Sequence, residues 1–99
     1  MPKYVLTNRA VKDLTDIWNY TFETWSEKQA DKYYNEILKE CSNLSKNPEG
    51  EKKYFDLIDD LRGAKINKHI IFYRRLEEKV IEIERVLHEQ MDLKTRLVE

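Results

Sequence analysis

Near the start of the chain, apolar residues recur at the spacing of one helix face. Thr7 has the side chain of a helix N-cap, and the stripe that follows it continues to about Trp25. Its members are Ala10, Leu14, Ile17, Trp18, Thr21 and Trp25, whereas Asp13, Asp16 and Glu23 fall outside it. The pattern predicts an amphipathic helix whose apolar stripe faces a core.

A second helix is predicted directly after the first. Ser26-Glu27-Lys28-Gln29 has the sequence of a capping box, in which the serine hydroxyl accepts from the glutamine amide and the glutamine side chain accepts from the serine amide. Its apolar stripe is Ala30, Tyr33, Tyr34, Ile37, Leu38, Cys41 and Leu44. Asn47 precedes Pro48 and is disfavoured in a helical conformation, so the helix is expected to end near Lys46. The two helices form a tight hairpin.

The remaining segments have the short apolar runs typical of strands. Residues 4–6 form a short extended segment, and residues 48–53 have turn residues and charges without an apolar period, which predicts a loop. A weak pattern over residues 57–66 predicts a strand, in which Gly63 indicates a bulge or a close backbone approach. The run from His69 to Tyr73 predicts a strand that is covered on both faces and lies centrally in the sheet.

A final strand is predicted over Val80–His88, after a short turn at residues 77–79. Strict alternation places Ile81, Ile83, Arg85 and Leu87 on one face. The order β-α-α-β-β-β predicts an α+β fold in which a two-helix hairpin packs on one face of a small, mainly antiparallel sheet. We expect a single domain over residues 1–99 with a short C-terminal tail at residues 89–99.

Composition places the chain among globular proteins. Of its 99 residues, 40% are hydrophobic and 37% charged, with two glycines and two prolines, which excludes a disordered or collagen-like chain. Cys41 is the single cysteine, so no internal disulfide can form, and its place on the second helix stripe predicts a core residue. No Cys/His cluster has the spacing of a zinc site, and no cofactor or metal is expected. With no apolar run approaching ~20 residues, a soluble cytoplasmic protein is expected.

Charge is balanced overall but uneven along the chain. Eighteen Lys and Arg against nineteen Asp and Glu give a net charge of −1. Between Leu61 and Leu76 there are five basic residues and one histidine without an acidic residue: Arg62, Lys65, Lys68, His69, Arg74 and Arg75. This segment is either a solvated strand face or the binding surface for an anionic partner.

Five polar side chains could suggest chemistry, but each has a structural explanation. Arg85 can reach water from the core edge or pair with Asp13 or Asp16. Tyr73 and Arg74 point to opposite sheet faces and cannot act together on one substrate. His69 and His88 lie at strand ends, where a solvent-facing or backbone-bonded histidine is the default. The sequence alone therefore identifies no reaction.

The tail after the last strand carries Leu93 and Leu97 four positions apart. This spacing is compatible with a short amphipathic turn, and a frayed terminus is the alternative.

Several ordered motifs resemble one protein family over nearly the whole chain, from Tyr4 to about Asp92. They are Thr7-x-x-Ala10-x-x-Asp13-Leu14-x-x-Ile17-Trp18-x-Tyr20, Trp25-x-x-x-Gln29-Ala30-x-x-Tyr33, Asn47-Pro48, His69-x-Ile71-Phe72-Tyr73-Arg74 and Ile83-x-Arg85-Val86-Leu87-His88-x-x-Met91-Asp92. The set resembles the ParE toxins of the RelE/ParE superfamily. The resemblance implies the toxin of a bacterial type II toxin–antitoxin pair, neutralised by a ParD-like antitoxin, that inhibits DNA gyrase by binding and catalyses no reaction.

The same resemblance implies two sets of contact residues. Antitoxin contacts are expected on the helices and the basic strands, at Trp18, Trp25, Tyr33, Arg62 and Arg74. Contacts with gyrase are expected at Arg75, His88, Met91, Asp92, Leu93, Arg96 and Leu97, because the C-terminal region of ParE-like proteins is linked to toxicity. Direct binding of nucleic acid is doubtful on this interpretation.

The sister branch resembles RelE and YoeB and provides the alternative function, a ribosome-dependent mRNA endoribonuclease. Such a nuclease needs a base, an acid and a cation that stabilises the pentavalent phosphate. Ile70 stands where that branch has an arginine, and Glu89 replaces the aromatic residue that follows the terminal histidine, here His88. The nuclease set is therefore incomplete, and no catalytic residue is assigned. A member that has lost toxicity and only binds its antitoxin is a third possibility.

Overall fold

The computed structural model describes residues 3–48 and 60–98. The elements are β1 (Lys3–Leu6), α1 (Asn8–Thr24), α2 (Glu27–Lys46), β2 (Arg62–Ile66), β3 (His69–Glu77), β4 (Val80–His88) and α3 (Leu93–Val98). Residues 49–53 of the predicted loop and residues 57–59 of the strand predicted over 57–66 lie outside the described residues. Among the described residues, no helix is both long and apolar enough to cross a membrane.

Both helix starts are capped as the sequence predicts. The Thr7 hydroxyl accepts from the amide of Ala10 at 3.0 Å, and the Ser26 hydroxyl accepts from the amide of Gln29 at 3.1 Å. Asn47 leaves the helical conformation, with φ −144° and ψ 70°, one residue before Pro48. The predicted hairpin and the end of its second helix are confirmed.

The four strands form one sheet in the order β1-β4-β3-β2. β1 runs parallel to β4, whereas the other two strand pairs are antiparallel. The predicted α+β fold is confirmed, as is the central position of the His69 strand, which extends further than expected, to Glu77.

The helical hairpin covers one face of this sheet with a continuous apolar core. Its buried members are Ala10, Leu14, Ile37, Cys41, Leu44, Ala64, Ile71, Tyr73, Ile81, Ile83 and Val86. Trp25 does not face the core as its place on the helical stripe predicts, because 74% of this residue is exposed. α1 ends at Thr24, and Trp25 leaves the helical conformation at φ −122° and ψ −82°, so the helical spacing no longer directs its ring towards the sheet.

The strict alternation predicted for the last strand was also wrong. Phe72 pairs with Arg85 but Tyr73 pairs with Ile83, so Glu84 is an extra residue and forms a β-bulge. The bulge reverses the phase of the alternation, and Val86 joins Ile81 in the core under the helices. Leu87 consequently packs on the other face.

The bulge expected at Gly63 is absent from the pairing of β2 with β3. The register runs without interruption from Arg62 opposite Tyr73 to Ile66 opposite His69. Gly63 is buried opposite Phe72, whose ring packs on the sheet face away from the helical hairpin.

A second, smaller apolar cluster lies on the sheet face away from the hairpin. It comprises Leu61, Ile70, Phe72 and Leu87, and it is covered by Leu93 and Leu97 of α3. The amphipathic turn predicted in the tail is therefore confirmed as a six-residue helix, and the frayed-terminus alternative is wrong for residues 93–98.

Candidate functional site

A buried ion pair joins α1, β4 and α3. Arg85 donates from Nε to Asp13 Oδ2 at 2.7 Å, from Nη2 to Asp13 Oδ1 at 3.0 Å, and from Nη1 to the carbonyl of Arg96 at 2.7 Å. Asp13 Oδ2 also accepts from the amide of Val86 at 3.1 Å, directly beyond the bulge. The structural explanation of Arg85 is confirmed with Asp13 as partner, although Asp13 is buried and not outside the core stripe as predicted.

Asp16, the other carboxylate considered for Arg85, pairs with Lys12 at 3.1 Å on the surface of α1. Both side chains are exposed, by 62% and 78% respectively. An exposed i,i+4 pair of this kind contributes about 0.3–0.5 kcal/mol, whereas removing one member of a buried pair costs several times more. Asp13 is therefore the stabilising carboxylate of α1.

A groove of about 510 Å³ lies between the helical hairpin and the ends of β3 and β4. It is lined by Tyr20, Thr21, Trp25, Gln29, Tyr33, Asn67, Lys68, His69 and His88. The structure thus brings together Trp25 and Tyr33, two of the expected antitoxin contacts, with His88, an expected gyrase contact.

Two histidines meet at the end of this groove, because His69 pairs with His88 across the sheet. Their ring centroids are 5.3 Å apart in an edge-to-face arrangement. The Tyr33 hydroxyl lies 2.7 Å from His69 Nδ1 and donates to the carbonyl of Ile66 at 3.2 Å. Burial, and secondly the neighbouring His88, lower the pKa of His69 from 6.5 to about 4, so its ring is neutral at pH 7.

The prediction of a solvent-facing or backbone-bonded ring is right for His88 and wrong for His69. His88 Nδ1 accepts from the amide of Gln90 at 3.1 Å, which confirms a backbone-bonded ring. His69 instead contacts the side chain of Tyr33, so the default for a strand-end histidine was wrong there. Counting back from the predicted turn at residues 77–79 places His69 opposite Leu87, one residue from its observed partner His88, so that turn was only an approximate signal for this contact.

On the opposite sheet face, a cavity of about 250 Å³ contains an unpartnered carboxylate oxygen. Its lining comprises Thr7, Arg9, Leu61, Arg74, Glu84, Arg85 and Leu97. Glu84 Oε2 is buried without a hydrogen-bond partner, and Arg74 Nε lies 4.0 Å away. Burial, followed by the neighbouring Glu82, raises the pKa of Glu84 from 4.5 to about 7.

This raised pKa predicts that Glu84→Gln stabilises the protein at high pH. The folded state binds a proton more tightly than the unfolded chain, so stability falls as pH rises from 4.5 to about 7. Because the Glu84 side chain is 28% exposed, solvent screens the effect, and we expect a gain of about 1 kcal/mol at pH 8 that disappears at pH 4. Urea unfolding at the two pH values measures it.

Glu36→Gln, an exposed change on α2, provides the control and is expected to alter the free energy of unfolding by less than about 0.5 kcal/mol. Equal effects of Glu84→Gln at pH 4 and pH 8 would contradict the raised pKa.

The basic segment 61–76 does not form one uniform positive surface. Arg62 Nη2 lies 3.7 Å from Asp60 Oδ1, and Lys65 Nζ lies 2.8 Å from Glu89 Oε2, so carboxylates from outside the segment pair with it. Tyr73 and Arg74 point to opposite faces as predicted: the Tyr73 hydroxyl donates to the buried carbonyl of Pro48 at 2.8 Å, whereas Arg74 is exposed.

The expected gyrase contacts are only partly brought together. Met91 and Arg96 line a cleft of about 350 Å³ beside Arg85, and Leu93 and Leu97 face the sheet, half-buried. Arg75 pairs with Ile81 at the opposite end of the β3–β4 hairpin from His88. The seven residue steps from Ile81 to His88 span roughly 23 Å of strand, so Arg75 lies apart from the rest of the set.

No group of three or more His, Cys, Asp or Glu side chains that could hold a metal ion occurs in the described ranges 3–48 and 60–98. The groove next to His69 instead combines aromatic rings, imidazoles and one lysine. Such a surface suits binding to another macromolecule better than metal chemistry.

Comparison with known proteins agrees with this architecture. The Toxin ParE1 proteins of Mycobacterium tuberculosis and Caulobacter vibrioides are 30% and 32% identical to the chain, over 96% and 98% of it and 97% and 99% of their own lengths. Toxin ParE of Escherichia coli is 30% identical over 100% of the chain and 96% of its own length. A solved structure described as "Chromosomal ParDE TA system from P. aeruginosa" shares the fold, with a TM-score of 0.75 over 89% of the chain and 96% of its own, at 19% identity.

The family profile described as "ParE toxin of type II toxin-antitoxin system, parDE" matches residues 4–93, from β1 into α3. This match includes the helical hairpin, the bulged strand and the Asp13–Arg85 pair that the structure connects. The protein therefore belongs to the ParE toxin family of type II toxin–antitoxin systems.

Proposed function

We propose that the protein is a growth-arresting toxin that inhibits DNA gyrase by binding, without covalent chemistry, and that a ParD-like antitoxin neutralises it. Membership of the ParE family supports the toxin role and the type of antitoxin. The burial of Ile70, described next, is the observation that favours a binding inhibitor over a nuclease.

Ile70 occupies the position at which the nuclease branch carries its phosphate-stabilising arginine. It is 5% exposed and packs with Phe72 and Leu87 beneath α3. A cation introduced here would be buried in an apolar cluster and would be removed from any phosphate at the surface. This sheet face is therefore suited to holding α3 and not to cleaving RNA.

A RelE-like endoribonuclease is the second candidate, and the groove beside His69, His88 and Lys68 is the feature that favours it. Two imidazoles and a lysine could in principle supply proton transfer and charge stabilisation. The His69 ring, however, contacts Tyr33, and its low pKa makes it a weak base at neutral pH. The groove thus supports binding more strongly than catalysis.

The antitoxin surface that we propose uses the outer side of the hairpin and the basic strands. Trp25 is 74% exposed and shares the groove with Tyr33, while Trp18 is half-buried against Phe22 on α1. Exposed aromatic rings of this size are typical anchor points for an amphipathic partner helix. Arg62 and Arg74 would meet acidic antitoxin residues at either side of the sheet.

For the gyrase surface we propose the segment from His88 through α3. Met91 is 42% exposed, and Asp92 and Arg96 lie on the exposed side of the same segment. Leu93 and Leu97 position this surface by packing on the sheet. Arg75 belongs to our proposed set but would require a second, separate contact.

Met91→Ala is expected to raise the concentration for half-inhibition of gyrase supercoiling about tenfold, since exposed methionines are common anchors at interfaces. Val11→Ala is the matched control: Val11 is 47% exposed, comparable to Met91, but lies on α1, outside the proposed gyrase contacts, and should leave inhibition unchanged. Purified gyrase is titrated with each variant, scoring both supercoiling and trapped double-strand breaks.

Addition of the antitoxin should relieve inhibition by the wild-type protein. If a folded protein that arrests growth leaves gyrase unaffected, the gyrase proposal fails. Cleavage of mRNA on purified ribosomes, run in parallel, would then identify the nuclease alternative.

A further inference from the structure

α1 carries a second apolar stripe, distinct from the one that packs on the sheet. Val11, Thr15, Trp18 and Phe22 fall within about 60° of the helix circumference at 3.6 residues per turn. Val11 and Phe22 are 47% and 46% exposed, and Trp18 is half-buried.

The centre of this stripe is already arranged for burial against a partner. The rings of Trp18 and Phe22 are stacked, with centroids 5.2 Å apart and an interplanar angle of 13°. Trp18 Nε1 donates to Asp31 Oδ1 of α2 at 2.9 Å. Covering the stripe would therefore leave no unsatisfied indole N–H, and little side-chain freedom remains to be lost.

Charges beside the stripe are complementary to those of a second copy. Lys12 and Glu23 are exposed and lie on the same side of the stripe, near its two ends, and Lys12 also contacts Asp16 one turn along α1. If two α1 helices pack antiparallel about a two-fold axis at Trp18, Lys12 of one subunit faces Glu23 of the partner subunit, and the reverse pair forms by symmetry. The same superposition sets Thr15 against the partner's Phe22.

We propose that α1 is a self-association surface, through which two copies of the free toxin form an antiparallel, two-fold symmetric dimer. A stable interface usually buries about 800 Å² on each partner, and one helix face provides less than that. The dimer is therefore weak and forms at micromolar concentrations. Because the antitoxin surface proposed above includes Trp18, antitoxin binding and self-association exclude each other.

Sedimentation velocity of the full chain, purified without a partner, tests the dimer over a range of concentrations. Lys12→Glu places like charges opposite each other twice, and so does Glu23→Lys; each should weaken the dimer about tenfold or more. The double variant Lys12→Glu/Glu23→Lys restores both pairs with reversed signs and should recover the wild-type dissociation constant. Lys79→Glu, an identical charge change in the turn between β3 and β4, should have no effect.

A chain that stays monomeric at every concentration would overturn the proposal. So would a dimer that neither single variant weakens, or one that the double variant fails to restore while circular dichroism shows all variants folded. These measurements contain neither gyrase nor antitoxin, so their outcome is separate from that of the proposed function.

Discussion

Replacing Asp13 by alanine is expected to lower the free energy of unfolding by about 3 to 5 kcal/mol, the usual cost of leaving a buried charge without its partner. The substitution removes both carboxylate contacts of Arg85, whose side chain is 10% exposed. It also removes the acceptor of the Val86 amide. Val86 is buried, so water cannot readily replace that acceptor. Three donors lose their acceptor through one change.

Urea unfolding followed by circular dichroism measures this loss at pH 7. The same replacement three positions later, Asp16→Ala, is the matched control, because it removes an exposed pair from the same helix and should cost no more than about 0.5 kcal/mol. Similar losses for Asp13→Ala and Asp16→Ala would show that the ion pair contributes little to stability.

Deleting residues 93–99 should destabilise the fold by about 2 to 4 kcal/mol, through loss of apolar burial. The deletion removes Leu93 and Leu97 and uncovers the cluster centred on Phe72. It also removes the carbonyl of Arg96, which accepts from Arg85 Nη1 at 2.7 Å and from Arg9 Nη2 at 2.9 Å. The urea midpoint of the truncated chain, compared with that of the full chain, measures the effect.

Lys94→Ala, an exposed change on the same helix, is the control and should leave the midpoint nearly unchanged. Growth arrest by the truncated chain adds a functional readout, since α3 belongs to the proposed gyrase surface. Full growth arrest together with an unchanged midpoint would contradict both the packing role of α3 and its proposed contact with gyrase.

Local signals in the sequence were sufficient for the helical hairpin. Thr7 and Ser26 are caps that act within three residues, and the Asn47-Pro48 step acts on its own backbone, so none of these features depends on distant contacts. The order of elements followed from the same local patterns. The fold class was therefore predictable without knowledge of the sheet register.

The side-chain directions in β4 were not predictable from alternation alone. The extra residue at Glu84 shifts the pairing with β3, and a second irregularity between Arg75 and Glu77 shifts it back. The two shifts cancel, so counting from the pair Glu77–Val80 places His69 opposite His88 correctly, whereas alternation along β4 assigns Leu87 to the wrong face. A bulge depends on contacts across the sheet, and a single strand sequence carries no clear sign of it.

The burial of Asp13 on α1 and the exposure of Trp25 directly after it were also not predictable from residue spacing alone. An aspartate between apolar positions normally predicts the solvent face, but a guanidinium 72 residues away makes its burial favourable. Trp25 has the correct spacing but falls one residue beyond the last helical turn. The contacts that these two residues make were consequently not predictable, and the antitoxin and gyrase contacts expected on the hairpin and the C-terminal segment stay predictions.

The parallel pairing of β1 with β4 has a consequence for synthesis on the ribosome. β1 is translated before every other element, yet its only strand partner in the described residues is β4, which is translated after the hairpin, β2 and β3. Contacts between distant parts of a chain form late in folding. The nascent chain therefore cannot complete the sheet, or the Asp13–Arg85 pair, until β4 has left the ribosome. A toxin built in this way remains unfinished, and unable to present its final surface, while most of its own chain is being made.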